Sequence, residues 1–247
     1  MEHPRLRDSK HLVTKELYPL NVFPEDLITK IGGYFVYLLY VGRTDLTGSD
    51  WGDAFTEAIN ATHLDSPVGI ADVVLDKNCW SMKTVKNTNP FECKNVRLIS
   101  GRCSPDYSYG ITDPHKDVQR TGEAVLGIWN ERVNIANDHY SQTRTSVLVR
   151  SNDFLSYCLF EEETQRYRTT DYQWEVNKNG NLVGMDSGGK IHFTWQPHGS
   201  QFTIHTEVPE SALKFKIKMP PILEKADILK NLHFDSSWVE IFNKNKI

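Results

Sequence analysis

Apolar residues recur at helical spacing twice near the start of the chain. Leu27, Ile28, Ile31, Phe35, Leu38 and Leu39 form the first series. Pro24 followed by Glu25 and Asp26 marks its opening turn, where proline and carboxylates are both favoured. The predicted helix ends near Gly42, and the Gly32-Gly33 pair weakens its middle. Trp51, Ala54, Phe55, Ala58 and Ile59 form the second series, at i, i+3, i+4, i+7 and i+8. Asp50 is its expected cap. Asp53 and Glu57 stand one turn apart, outside the centre of the apolar stripe.

The pattern then changes period. "GIADVVL" (69–75), "CWSMKTV" (79–85) and "NVRLIS" (95–100) read as three strands. Val125, Ile128, Trp129, Val133 and Ile135 supply the apolar side of a long helix from about Val118 to Tyr140. "RTSVLVRS" and "FLSYCLFEEE" read as two further strands. From residue 170 the chain is β-rich, with turns at Asn179-Gly180 and around Pro197 to Ser200. A short helix is expected around 222–232. Strands before and after a covering helix predict an α/β fold with a mixed sheet flanked by helices.

Composition narrows the class. The 247 residues are 39% hydrophobic, enough for a core that needs no disulfide or metal staple. There is no internal repeat or low-complexity linker, so 1–247 reads as one unit. The four cysteines form no CxxC pair and the N-terminus resembles no signal peptide, so we expect reduced thiols in a cytoplasmic protein. The longest uncharged apolar run, "YFVYLLYVG" (34–42), is far short of a bilayer span, and no membrane partner is expected. A net charge of −4 neither announces nor excludes a polyanion partner, because the distribution of charge decides that. No zinc spacing, G-x-S-x-G elbow, P-loop or dinucleotide fingerprint is present.

Asp72 and Lys83 stand out within the first two strands. With Lys77-Asn78 as a two-residue link, Asp76 pairs with Cys79 and Asp72 falls directly opposite Lys83, on one face. Their neighbours Val73, Val74, Leu75, Trp80, Met82 and Val85 are those of a covered sheet. A buried ion pair adds little stability, because desolvation cancels most of the attraction. The pair therefore asks for a role other than holding the fold.

Helix, strand with Asp72 in "GIADVV", strand with Lys83 in "WSMK", third strand, helix and strand together resemble the PD-(D/E)xK nuclease core, best known from type II restriction endonucleases. The resemblance covers about residues 49–163, with 164–247 as a β-rich DNA-recognition extension. It implies that Asp72 binds Mg2+, that Lys83 positions and activates the attacking water, and that Met82 adds its backbone carbonyl to the metal. Ser81 stands where the family has Glu or Asp, which leaves a carboxylate to be supplied from elsewhere. Glu57 is the first candidate and Glu92 the second.

On the same reading, Gln196, His198, Ser200 and Gln201 in "QPHGSQ" form the expected base-reading turn, since a two-stranded ribbon fits the major groove. Arg144, with Arg150, Arg166, Arg168 and Tyr167, is expected at the phosphates. The Ser/Tyr-rich loop 102–110 is suited to backbone contacts. The expected function is Mg2+-dependent cleavage of double-stranded DNA at a short specific site by a type II restriction endonuclease. The protein would act as a homodimer on DNA, and the host would carry a cognate methyltransferase. The alternatives are a repair or nicking nuclease of the same fold and a non-catalytic DNA-binding protein.

Overall fold

Helix α1 (Glu25–Tyr40) follows Pro24 with Glu25 and Asp26 in its first turn, as the sequence predicts. It opens the computed structural model, which describes residues 16–242. Helix α2 (Gly48–Ile59) starts earlier than expected. Thr47, not Asp50, is the cap, and Asp50 at the third helical position completes a capping box. Trp51, Ala54, Phe55 and Ala58 of α2 join Leu27, Ile31 and Phe35 of α1 in one core, which lies on Trp80 and Met82 of the sheet.

Eleven strands are described, in two sheets. The first has the order β1-β2-β3-β5-β6-β11 and the second β4-β10-β9-β8-β7. In the first sheet, β1 (Thr62–Val68), β2 (Ala71–Leu75) and β3 (Asn78–Lys86) form an antiparallel meander. Helix α4 (Val118–His139) then crosses over to β5 (Gln142–Arg150), which runs parallel to β3. Strand β6 (Ser156–Glu163) and β11 (Leu213–Lys216) complete this mixed sheet. The second sheet is antiparallel and contains β4 (Asn95–Arg102), β7 (Gln173–Val176), β8 (Leu182–Met185), β9 (Ile191–Gln196) and β10 (Gln201–Glu207).

The strand read at 95–100 is present as β4, and it pairs with β10 in the second sheet rather than with the β2–β3 hairpin. Its burial alternates, with Val96, Leu98 and Ser100 covered and Asn95, Arg97 and Ile99 exposed, which is the mark of a sheet with one solvated face. The meander's outer strand is instead β1, whose sequence "THLDSPV" is polar and contains Pro67. An edge strand has only one neighbour to satisfy, so neither feature forbids it there.

Helix α4 packs between the sheets. Val125, Leu126, Trp129 and Val133 meet Ala71 and Cys79 on one side and Leu182, Phe193, Trp195 and Phe202 on the other. On the β4 side the sheets meet directly, Val96 and Leu98 against Val147, Val149 and Phe160. Strand β4 thus lies in the β-rich sheet and β11 in the first, so each sheet draws on residues from both sides of position 163. A short helix α3 (Pro105–Tyr109) follows β4, and α5 (Lys225–Asn231) lies near the end. Among the described residues no helix is long and apolar enough to cross a membrane.

Candidate active site

The β2–β3 hairpin turns at Asp76-Lys77, with Asp76 in the left-handed region at φ 52. Aspartate tolerates that conformation better than most side chains. The register is Val73↔Trp80, Val74↔Cys79 and Leu75↔Asn78. This shifts the expected pairing by two residues on one strand. Asp72 therefore falls level with Ser81, and Lys83 becomes its diagonal neighbour. A shift of two preserves the face, so Asp72 and Lys83 still meet.

The hairpin ladder stops at Val73↔Trp80, and the Asp72 side chain takes over from it. Its Oδ2 accepts from the Met82 backbone N–H at 2.8 Å and from Ser81 Oγ at 3.3 Å. Lys83 Nζ lies 3.9 Å from the same oxygen. Oδ1 has no protein partner among the described residues. The Met82 N–H and C=O share one edge of the strand, so that carbonyl also lies where β2 no longer pairs.

Asp72, Met82 and Lys83 line a cleft of about 510 Å³ together with Asp53, His63 and Asp65. The Lys83 side chain is 18% exposed. Burial pushes its pKa below the usual lysine value, Asp72 opposes this, and Arg132 adds to it. Arg132 on α4 donates to the carbonyls of Ser100 and Gly69. A side chain at Gly69 or Gly101, both at positive φ, would strike the Arg132 backbone or its guanidinium. The turn between β1 and β2 is thereby tied to the end of β4.

The helix carboxylate that reaches the cleft is Asp53. Glu57, expected as a metal ligand, is exposed on α2 and does not line it. The N-terminal residues of α2, Gly48 and Ser49, border the cleft, so the residue one turn nearer that end is the one within reach. Glu92 is exposed in the 3-10 turn Pro90–Glu92, also outside the cleft lining. Ser81 is 2% exposed, and its hydroxyl supports Asp72 rather than facing the opening. Asp53 Oδ1 lies 2.6 Å from His63 Nδ1. Helical periodicity put Asp53 beside Glu57 outside the apolar stripe without choosing it, and nothing in the pattern singled out His63 or Arg132. A glycine at position 52, inside an otherwise good helix, was the available signal of a close approach.

Arg144, expected at a phosphate, is buried at 5% exposure. It pairs with Glu161 at 3.0 Å, donates to the Tyr18 carbonyl at 3.0 Å and lies 3.7 Å from Glu16, so its guanidinium is taken up by protein groups rather than held out at the surface. Arg150 is likewise buried and pairs with Asp45. Arg166 and Arg168 border a separate open groove of about 770 Å³ beside α4, with Tyr167.

The turn between β9 and β10 spans 197–200, with Gln196 paired to Gln201 at its base. His198 is exposed, and Ser200, at φ 53, gives its carbonyl to the Cys103 N–H at 2.8 Å. Gln201 also pairs with the exposed Arg102 at the end of β4, beside the Ser100 carbonyl that Arg132 holds.

Buried thiols offer no competing nucleophile, since burial pushes Cys79, Cys103 and Cys158 up to about 11. The site's chemistry is that of a carboxylate with an unused oxygen beside a desolvated lysine, in an open cleft. Searches against protein-family models, curated proteins and solved structures find no match for this chain.

Proposed function

We propose that the protein is a Mg2+-dependent endodeoxyribonuclease with a PD-(D/E)xK core, a type II restriction endonuclease acting at a short site in double-stranded DNA. One observation carries the reading: Asp72 and Lys83 meet in a cleft at the point where β2 and β3 part. The order of elements supports it, α2 before the β1-β2-β3 meander and α4 before the parallel strand β5.

The donors fit a hard cation. Magnesium is held by one or two carboxylates, with water and substrate oxygens completing the shell. Asp72, the Met82 carbonyl and Asp53 would supply such oxygens. No group of three or more His, Cys, Asp or Glu side chains poised for a metal occurs among the described residues, and that preference does not demand one. Bound Mg2+ would acidify a water and offset charge on the scissile phosphate. Lys83 sets a positive charge where the phosphorane-like transition state gathers negative charge. Ser81 and the Met82 N–H hold Asp72 in place. On this reading Arg102 and the 196–201 hairpin, which share the end of the second sheet where Gln201 pairs with both Arg102 and Gln196, would form the base-reading edge, with Gln196, His198, Ser200 and Gln201 as readers.

On a palindromic site a two-fold protein presents identical readers to both halves, so a homodimer on DNA is part of the proposal. A cognate methyltransferase in the host is another part. Incubation with plasmid and Mg2+ tests the whole. Discrete fragments are expected. Nicked circles would favour the repair or nicking reading, and intact plasmid that is still retarded in a gel would favour non-catalytic binding.

A further inference from the structure

We infer that His63 is a positioning residue that aims Asp53 into the cleft as its second cation-binding carboxylate. The inference rests on the nuclease reading for the identity of the cation, and on three observations for the geometry.

The first is the bond itself. Asp53 Oδ1 and His63 Nδ1 are 2.6 Å apart, a short, close hydrogen-bond contact. A carboxylate only accepts, so Nδ1 carries the proton and the bond fixes Oδ1. The second oxygen of Asp53 has no protein partner among the described residues. The second observation is location. Asp53 and His63 come from α2 and β1, and both line the cleft that contains Asp72, Met82 and Lys83.

The third is the space made for the ring. A Cβ at Gly52 would sit 2.7 Å from both Cε1 and Nε2 of His63. Any other residue at position 52 would push the imidazole off the helix. Glycine inside a helix costs about 1 kcal/mol relative to alanine. The Asp53 side chain is 46% exposed and His63 25%, so water could hydrate the carboxylate without help. A pair this exposed returns at most about 1 kcal/mol. Stability therefore gains nothing from the arrangement. What the bond does supply is a single orientation for a carboxylate at the wall of the cleft. Groups that orient a metal ligand in this way typically change metal affinity by about 10–100-fold when removed.

The test is Mg2+ binding by calorimetry on the intact protein, without DNA, alongside thermal melting of each variant. Asp53→Asn and His63→Ala should each weaken Mg2+ binding, His63→Ala by about 10–100-fold. His63→Asn should recover most of that loss, because its amide nitrogen replaces Nδ1 as donor. Glu57→Gln, one turn away on the same helix, should bind as wild type does. The inference is overturned if Asp53→Asn and His63→Ala bind Mg2+ normally, if His63→Asn fares no better than His63→Ala, or if Glu57→Gln is the variant that loses it. Absence of saturable Mg2+ binding by the wild type overturns it as well. The two levels separate cleanly. Normal binding in the Asp53 and His63 variants with Asp72-dependent DNA cleavage removes this inference and keeps the nuclease; Mg2+ binding that follows Asp53 and His63 without any cleavage does the reverse.

Discussion

Two cation–carboxylate pairs occupy the first sheet, each diagonal across neighbouring antiparallel strands. Arg144 and Glu161 join β5 and β6, and Lys83 and Asp72 join β3 and β2. The first pair is saturated. Glu161 takes Tyr18 Oη at 2.8 Å on one oxygen and Arg144 at 3.0 Å on the other, and Asn21 holds both its backbone N–H and its carbonyl. Arg144 lies over the Tyr18 ring, 5.4 Å from its centroid. Both Glu161 carboxylate oxygens and both terminal nitrogens of Arg144 are thus engaged within the protein. In the second pair all three contacts to Asp72 fall on one oxygen, the ammonium stands back at 3.9 Å, and the site opens to a cleft. A pair whose capacity is spent serves the fold. A pair with capacity in reserve is suited to a cation and a phosphate.

Substitution should separate the two pairs sharply. Asp72→Asn should abolish cleavage, and Lys83→Ala should reduce it by at least about 10²–10³-fold, as for other lost transition-state charges. Both variants should melt close to wild type and still retard DNA in a gel with Ca2+ in place of Mg2+. Arg144→Ala should do the opposite. Stranding Glu161 without its partner costs about 3–5 kcal/mol, while cleavage per folded molecule stays unchanged. Thermal melting paired with single-turnover cleavage reads both. An Asp72→Asn protein that melts as low as Arg144→Ala would make the hairpin pair structural and remove its catalytic role.

A smaller effect is expected at the proposed reading edge. Gln201→Ala should lose about 1–3 kcal/mol of discrimination at one base pair. The salt dependence of non-specific binding should hardly change, because phosphate contacts remain. Cleavage of a library of single-substituted sites measures this. An unaltered preference in Gln196, His198 and Gln201 variants would move recognition to another surface.

How much of this was legible depended on the range of the contacts involved. Helices α1, α2 and α4 could be read because their apolar stripes face the core along many turns. The shared face of Asp72 and Lys83 could be read because side chains alternate with period two, and the register shift at Asp76-Lys77 left that parity intact. The choice between Asp53 and Glu57 could not be read, since it depends on which end of α2 borders the cleft. Strand β1 escaped because an edge strand carries little apolar signal. Arg144 looked like a surface arginine because its partners, Tyr18 and Glu161, are 126 and 17 residues away. Burial of a charge is decided by such distant partners, and no local pattern records them.

The smallest expected effect concerns a third arrangement, a half-buried carboxylate with no cation partner among the described residues. Glu162, next to Glu161 but on the other face of β6, has as its side-chain partner among the described residues the Thr206 hydroxyl, which donates to its Oε2 at 2.8 Å. Burial raises its pKa above the usual glutamate value, and the Thr206 bond opposes this without cancelling it. A raised pKa means that the folded state favours the protonated form. The contribution to stability is complete below the unfolded pKa and is lost as pH rises through the folded one. Glu162→Gln keeps an acceptor for Thr206 and never ionises. It should therefore melt above wild type near pH 8, with the gap closing as pH falls to about 4. Melting curves of both proteins across that range measure it. A gap that is constant with pH would show that Glu162 is as well solvated folded as unfolded, and that a hydroxyl alone suffices where Glu161 has an arginine.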